Sequence, residues 1–252
     1  MNKTILITGA TSGFGKAIAL RFAQEGNNLI ITGRRKKRLD DLANSLRNDY
    51  KVDVLPLCFD VRKQDEVEKS IASLPATWKK IDVLVNNAGL AVWFHPVHEG
   101  VVDDWDRMID TNVKGLLYMT RAVAPLMVER NQGHIINIGS IAGKEVYPNG
   151  NVYCGSKFAV DAITKGTRID LVQYNIKVTQ VAPWAADTEF SLVRFKGDKE
   201  RADSVYKGFT PLSPEDVAET VYYVTTLPAH VNINDLVIMT TAQASTVNFH
   251  KV

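Results

Sequence analysis

The chain has 252 residues, 45% of them hydrophobic and 23% charged, with a formal net charge of +2 at pH 7. This length accommodates one large α/β domain or two small ones around a sizeable core, and so small a charge argues against nucleic acid or an anionic membrane surface as the main partner. Two cysteines, Cys58 and Cys154, form no metal-ligand spacing and no disulfide framework, no run reaches the roughly 20 apolar residues of a membrane span, and the apolar stretch Ile5, Leu6, Ile7 is too short for a secretory leader, so a cytoplasmic protein of a reducing compartment is expected.

In chain order, Ile5 to Thr8 predicts a strand bounded by Gly9, and Lys16 to Gln24 has helical spacing. The alternation continues through a strand at Leu29 to Thr32, a helix at Lys36 to Leu46, a strand at Val54 to Phe59, a helix at Lys63 to Leu74 and a strand at Ile81 to Val85. Trp105 to Glu129 predicts a long helix that is apolar on more than one face, suited to burial by the sheet and by a second surface such as another subunit. Strand at His134 to Ile138, helix at Val152 to Tyr174 and strand at Ile176 to Val181 follow. Between Pro183 and Pro211 the periodicity weakens, as expected of a substrate lid, before Ser213 and Pro214 open another helix and Leu236 to Met239 forms the last strand. Strands of continuous Ile, Leu and Val with helices between them predict a doubly wound parallel α/β sheet, in one domain spanning residues 1–252.

The loop Thr8-Gly9-Ala10-Thr11-Ser12-Gly13-Phe14-Gly15 lies between the first strand and the first helix, where backbone N–H groups and the positive helix end can meet a pyrophosphate. Gly9 permits the tight turn, Gly13 the close approach of phosphate and Gly15 the close packing of helix on strand, which makes Thr11, Ser12 and Phe14 cofactor contacts too. The spacing is G-x-x-x-G-x-G rather than G-x-G-x-x-G. At the end of the second strand the acid that holds an NAD ribose is missing, and Arg34 and Arg35 stand ready for the 2′-phosphate of NADP. Lys36, Lys37 and Arg38 read as the solvated start of a helix. NADP(H) is therefore expected in preference to NAD(H).

Tyr153 and Lys157 are four apart, which puts a phenol and an ammonium one turn apart on a helix face. A nearby cation favours the phenolate and draws the phenol toward useful acid–base range. The same spacing is common on solvated helices, so its meaning depends on the rest of the chain.

Together the glycine loop, Asn86-Asn87-Ala88-Gly89, Asn112, Ser140, Tyr153 and Lys157 resemble the short-chain dehydrogenase/reductase family over essentially the whole chain, and Thr188 to Asp198 and Leu227 to Asn234 look like its NADP-dependent 3-hydroxy acid dehydrogenase branch. The resemblance implies a Rossmann-type fold of about seven parallel strands, commonly in a homotetramer. It also implies that Tyr153 donates a proton to the carbonyl oxygen in reduction and takes it back in oxidation. Lys157 depresses the tyrosine pKa and holds the nicotinamide ribose, Ser140 hydrogen-bonds the substrate oxygen, and Asn112 holds a water linking Lys157 to solvent. Asp60 and Val61 match the adenine contact, Asn86, Ala88, Gly89 and Pro183 flank the cofactor, and Thr188 matches the carboxamide contact. The histidines give no convincing metal site, and none is expected.

The chain departs from the family at Trp184, where Pro-Gly is usual, and carries a second large residue at Trp93, with Phe94 beside it. An indole in place of that glycine crowds the pocket. Trp93, Phe94, Ile141, Tyr147, Trp184, Phe190 and Arg194 are the expected substrate wall, Arg194 offering a bidentate fork for a carboxylate unless it is a surface ion-pair residue. Two substrate classes stay open: a 3-hydroxy acid, and a bulky or aromatic prochiral ketone. From another class, a sensor or scaffold could bind NADP(H) without turnover.

Overall fold

The apolar runs become seven strands: β1 (Thr4–Ile7), β2 (Asn28–Gly33), β3 (Val54–Cys58), β4 (Val83–Asn86), β5 (Gly133–Ile138), β6 (Ile176–Pro183) and β7 (Asp235–Ile238). The structure is a computed structural model that describes residues 2–92, 95–184, 186, 189–200 and 205–252. Trp93, Phe94 and Thr188 lie outside the described residues. All six pairings are parallel and the order is β3-β2-β1-β4-β5-β6-β7. The connection therefore reverses direction between β1 and β4, and their carboxyl ends open a crevice where the loops diverge, the usual ligand position of such sheets.

Among the described residues the α-helices are α1 (Gly13–Gln24), α2 (Lys36–Tyr50), α3 (Gln64–Ala72), α4 (Val102–Ile109), α5 (Gly115–Val128), α6 (Asn151–Leu171), α7 (Glu189–Arg194) and α8 (Pro214–Thr226). Alternation within the strands sends Ile5, Ile7, Leu29 and Ile31 to one face, against Ile18 and Phe22 of α1, Leu39 and Leu46 of α2 and Val221 of α8. Leu6, Ile30, Leu84 and Ile135 face the other way, against Val67 of α3 and Met119 and Val123 of α5. Both faces being covered explains why the strands read as continuous apolar runs. The capping expected at Ser213 is present: its Oγ accepts the Asp216 N–H at 3.1 Å, and the Asp216 carboxylate accepts the Ser213 N–H at 2.8 Å.

Two differences from the sequence reading matter for the site. The first helix begins at Gly13 rather than Lys16, because glycines weaken the helical signal while tertiary packing supplies what propensity lacks. The helix expected over Trp105 to Glu129 starts earlier, at Val102, and is interrupted by one π turn at Asp110–Lys114. Such turns frequently mark functional positions. Within the segment read as irregular from Pro183 to Pro211, α7 forms a short helix of six residues.

Candidate active site

The two loops at the switch point are tied to each other. Thr8 Oγ1 accepts the Asn87 N–H at 3.0 Å and the Ala88 N–H at 2.9 Å, and Asn87 Nδ2 donates to the Thr8 carbonyl at 2.8 Å. Gly9 lies at φ +68°, in the left-handed region, and a Cβ there would sit 3.0 Å from the Ala88 Cα. A Cβ on Gly15 would stand 2.4 Å from the Gly9 carbonyl oxygen. Only glycine lets the first turn of α1 settle this close under the loop, and that turn presents unpaired backbone N–H groups to an anion. Ser12, the residue before α1, makes no side-chain cap; its hydroxyl accepts Arg35 Nη2 at 2.8 Å.

These loops border a cavity of about 610 Å³, within the range of roughly 300–1,000 Å³ typical of small-molecule sites. Among the described residues, its charged lining comprises Arg34, Arg35, Arg107, Lys157, Arg194 and Lys251 against Asp60 and Glu189. Asp60 is itself held by Arg62 at 2.6 Å; burial pushes its carboxyl up, but the Arg62 hydrogen bonds outweigh this and keep it below the ordinary range. The excess of cations favours an anionic ligand. The glycine cradle, the free helix end and Arg34 and Arg35 beyond β2 fit a dinucleotide whose phosphates need exactly such donors in chain order along the strand ends.

At the other end of the cavity, α6 carries Tyr153 and Lys157, both buried. Lys157 Nζ donates to the Ile138 carbonyl at 2.9 Å and lies 5.9 Å from the centre of the Tyr153 ring. Burial lowers the Lys157 pKa to about 8. Burial raises that of Tyr153; among the groups that pull it back down Arg194 comes first, then the hydrogen bond with Ser140. Arg194 thus bears on the phenol as well as the Lys157 expected from sequence, because α7 brings a guanidinium close to the ring, a contact that spacing along the chain does not encode. Arg194 is 8% exposed, with Cζ 5.3 Å from the Tyr153 ring centre and 5.0 Å from that of Phe190. It is therefore a buried residue rather than a surface one.

Ser140 follows β5 and starts a tight turn, its Oγ accepting the Ala142 N–H at 3.1 Å. Asn112 sits in the π turn. Its Oδ1 accepts the Leu90 N–H at 2.8 Å, and its Nδ2 donates to the Leu90 carbonyl at 2.8 Å and to Ser156 Oγ at 3.0 Å. The side chain thus fastens the strap after β4 to α6, one residue before Lys157.

The cavity brings together Gly9, Thr11, Ser12, Gly13, Phe14, Arg34, Arg35, Asp60, Val61, Ala88, Gly89, Ser140, Tyr147, Tyr153, Lys157, Pro183, Trp184, Phe190 and Arg194, all named from the sequence. Four others are placed behind its wall. Gly15 packs beneath the loop, Asn112 braces the strap, and Ile141 is buried in the turn that follows Ser140, outside the lining where it was expected. Asn86 does not flank the cavity either: it ends β4 on the face covered by α5 and α6, and its Nδ2 donates to Thr120 Oγ1 at 3.0 Å and Asn137 Oδ1 at 2.9 Å. The next residue, Asn87, lines the cavity instead, because successive strand residues point to opposite faces. Trp184 packs on Tyr147 with ring centres 5.1 Å apart. Cys154 is buried, and burial pushes its thiol up, away from nucleophile chemistry.

Sequence reasoning missed the contribution of the last residues. Val247, Phe249 and Lys251 line the cavity, Phe249 packs on Phe209 at 5.1 Å, and the Val252 N–H donates to the Gly208 carbonyl at 3.0 Å. A period of two across Val247, Phe249 and Lys251 was the available signal, too short to stand out. Glu189 was missed as well, since a single glutamate in a charged segment carries no pattern.

A family model described as short chain dehydrogenase matches residues 3–198. A protein of Salmonella typhi named NADP-dependent 3-hydroxy acid dehydrogenase YdfG is 52% identical over 241 residues, covering 95% of this chain and 96% of that one. Sulfoacetaldehyde reductase 2 of Chromohalobacter salexigens is 48% identical over 245 residues, with 97% and 96% covered. Among solved structures, the closed form of serine dehydrogenase complexed with NADP+ superposes with a TM-score of 0.92 at 50% identity, covering 99% of this chain and all of that one. With its parallel sheet, its glycine cradle and a family model matched across most of its length, the chain belongs to the short-chain dehydrogenase family.

Proposed function

We propose that this chain is an NADP(H)-dependent oxidoreductase that interconverts a 3-hydroxy acid and the corresponding 3-oxo acid. The observation that carries the substrate class is Arg194, a buried guanidinium on the cavity wall against the ring of Tyr153. Its place on the cavity wall beside Tyr153 supports an acid substrate, since a guanidinium receives a carboxylate in a bidentate fork. The relatives are named for 3-hydroxy acids, sulfoacetaldehyde and serine, compounds that all carry an anionic group.

In this reading Thr11, Ser12, Arg34 and Arg35 hold the phosphates, with the first turn of α1 facing the pyrophosphate. The dinucleotide, when bound, supplies or accepts the hydride. Tyr153, raised by burial and so protonated at neutral pH, gives its proton to the substrate oxygen in reduction. In oxidation it takes that proton back, with Arg194 and Ser140 favouring the phenolate. Ser140 also donates to the substrate oxygen as negative charge develops there. Asn112 acts by position, holding Leu90 and Ser156 so that α6 presents Lys157. The segment 183–211 serves as the lid: α7 lays Phe190 and Arg194 against Tyr153, and Lys196 anchors its far end to the buried Asp104 at 2.8 Å.

A second reading, a bulky or aromatic ketone, is favoured by the Trp184 and Tyr147 rings that share the same wall. The test is NADPH consumption with 3-oxo acids and with neutral ketones of matched size, in the wild type and in Tyr153→Phe. The 3-oxo acid reading expects the acids to be preferred and Tyr153→Phe to lose about 10²- to 10⁴-fold in kcat. Preference for the neutral ketones would replace it with the second reading. NADPH binding with no turnover of either class would make the chain a sensor or scaffold instead.

A further inference from the structure

The start of α2 and the start of α7 meet over the glycine loop. Arg35 is folded onto that loop, its Nε and Nη2 donating to Thr11 Oγ1 at 3.2 and 2.8 Å and its Nη2 also to Ser12 Oγ. Its remaining Nη1 reaches Glu189 Oε2 at 3.4 Å. Arg38, read from sequence as a solvated helix residue, directs Nη1 to both oxygens of the same carboxylate at 3.1 Å each. Arg34 is occupied differently, with Nη1 3.9 Å from Asp60 Oδ2. Three arginines at the end of β2 thus share two carboxylates, and one of these comes from the lid.

We propose that Glu189 is a residue that sets cofactor selectivity, by competing with the cofactor's 2′-phosphate for Arg35 and Arg38. The inference rests on the reading that this cluster takes NADP(H). Glu189 lines the same cavity as Arg34 and Arg35, so its carboxylate stands where a phosphate beside those guanidinium groups meets it. A carboxylate in that position repels a dianionic 2′-phosphate and exerts no such repulsion on the neutral 2′-hydroxyl of NAD(H). The residues are about half exposed, so solvent screening limits the effect, and the pairs count little as stabilising ion pairs. Their consequence is for selectivity. It also reaches the other end of α7, because the helix whose first residue is Glu189 ends in Arg194 on Tyr153. A phosphate that takes Arg35 and Arg38 releases the latch at the start of the lid while Lys196 and Asp104 keep its far end fixed.

The experiment measures dissociation constants by calorimetry for NADPH, NADH, adenosine 2′,5′-bisphosphate and AMP with wild type and Glu189→Gln. The expected result is NADPH and the bisphosphate binding about 3- to 10-fold more tightly to the variant, less so at high salt, with NADH and AMP within about twofold of wild type. In Arg38→Met the gain from Glu189→Gln shrinks, since the two residues share one interaction. Unchanged or weaker NADPH binding in Glu189→Gln, or an equal change for NADPH and NADH, overturns the proposal while leaving the cofactor assignment standing. Wild type binding NADPH no more tightly than NADH overturns the cofactor assignment, and the proposal with it.

Discussion

The guanidinium carbon of Arg194 lies 5.3 Å from the centre of the Tyr153 ring, and the buried side chain sits beside the packed pair of Tyr153 and Phe190. One side chain from α7 therefore approaches both the proposed acid–base group and the space beside it. Replacing it separates the two effects. Arg194→Ala is expected to raise KM for a 3-hydroxy acid by about 10- to 100-fold, the loss of a charge-assisted hydrogen bond, and to change a neutral ketone of the same size far less. Steady-state kinetics on the two substrates checks this, and equal losses for both would remove the carboxylate role.

Lys157 gives a pH signature in stability. Its folded pKa is lowered by burial to about 8 from 10.5. Between those values the unfolded chain binds more protons at this site than the folded one, so the lysine makes stability rise with pH across that window, by on the order of 3 kcal/mol in total. Below about pH 8 both states are protonated and the full penalty is present. Comparing denaturant midpoints of wild type and Lys157→Met from pH 7.5 to 10.5 is expected to show the rise in the wild type alone. Parallel curves would mean that Lys157 does not titrate in this range.

Gly15→Ala tests the contact between α1 and the glycine loop. The added Cβ meets the Gly9 carbonyl oxygen at 2.4 Å, a backbone atom that cannot swing aside. A cost of about 1–3 kcal/mol is expected, read as a fall in thermal midpoint, together with weaker NADPH binding as the loop is displaced. A variant of unchanged stability and affinity would show that the loop has slack the structure lacks.

Phe249→Ala tests the terminal segment. Phe249 packs on Phe209, and Lys251 Nζ lies 5.6 Å from one ring and 5.7 Å from the other. Losing an aromatic pair worth about 0.5–1.5 kcal/mol is expected to raise amide exchange across residues 243–252 about 2- to 10-fold and to weaken closure over the cavity. Unaltered exchange would mean that the hydrogen bonds of the segment, among them Val252 to Gly208 and Thr246 to Glu145, hold it without the aromatic pair.

The glycine loop, the parallel sheet and the Tyr153 and Lys157 pair were legible in the sequence because each is written in local terms: special backbone needs, apolar runs of strand length, a spacing of one helical turn. Asn86 and Asn87 show where that stops. The motif names both, and only the pleat of β4, with its register against β5, decides that one joins the buried ladder and the other the cavity. Around Tyr153 the nearness of Lys157 follows from the helix they share, whereas Arg194 is brought to the same ring by α7 from far along the chain.

By itself the sequence determined the parallel sheet, the glycine loop at its switch point and the one-turn spacing of Tyr153 and Lys157, since these depend on residues close together in the chain and on burial patterns that repeat. Only the tertiary structure decided which side chains meet at the cavity: Arg194 over Tyr153, Glu189 with Arg35 and Arg38, and Phe249 against Phe209. Such contacts join segments that nothing in local propensity or periodicity connects. Their geometry follows from how the lid and the terminal segment pack over the strand ends.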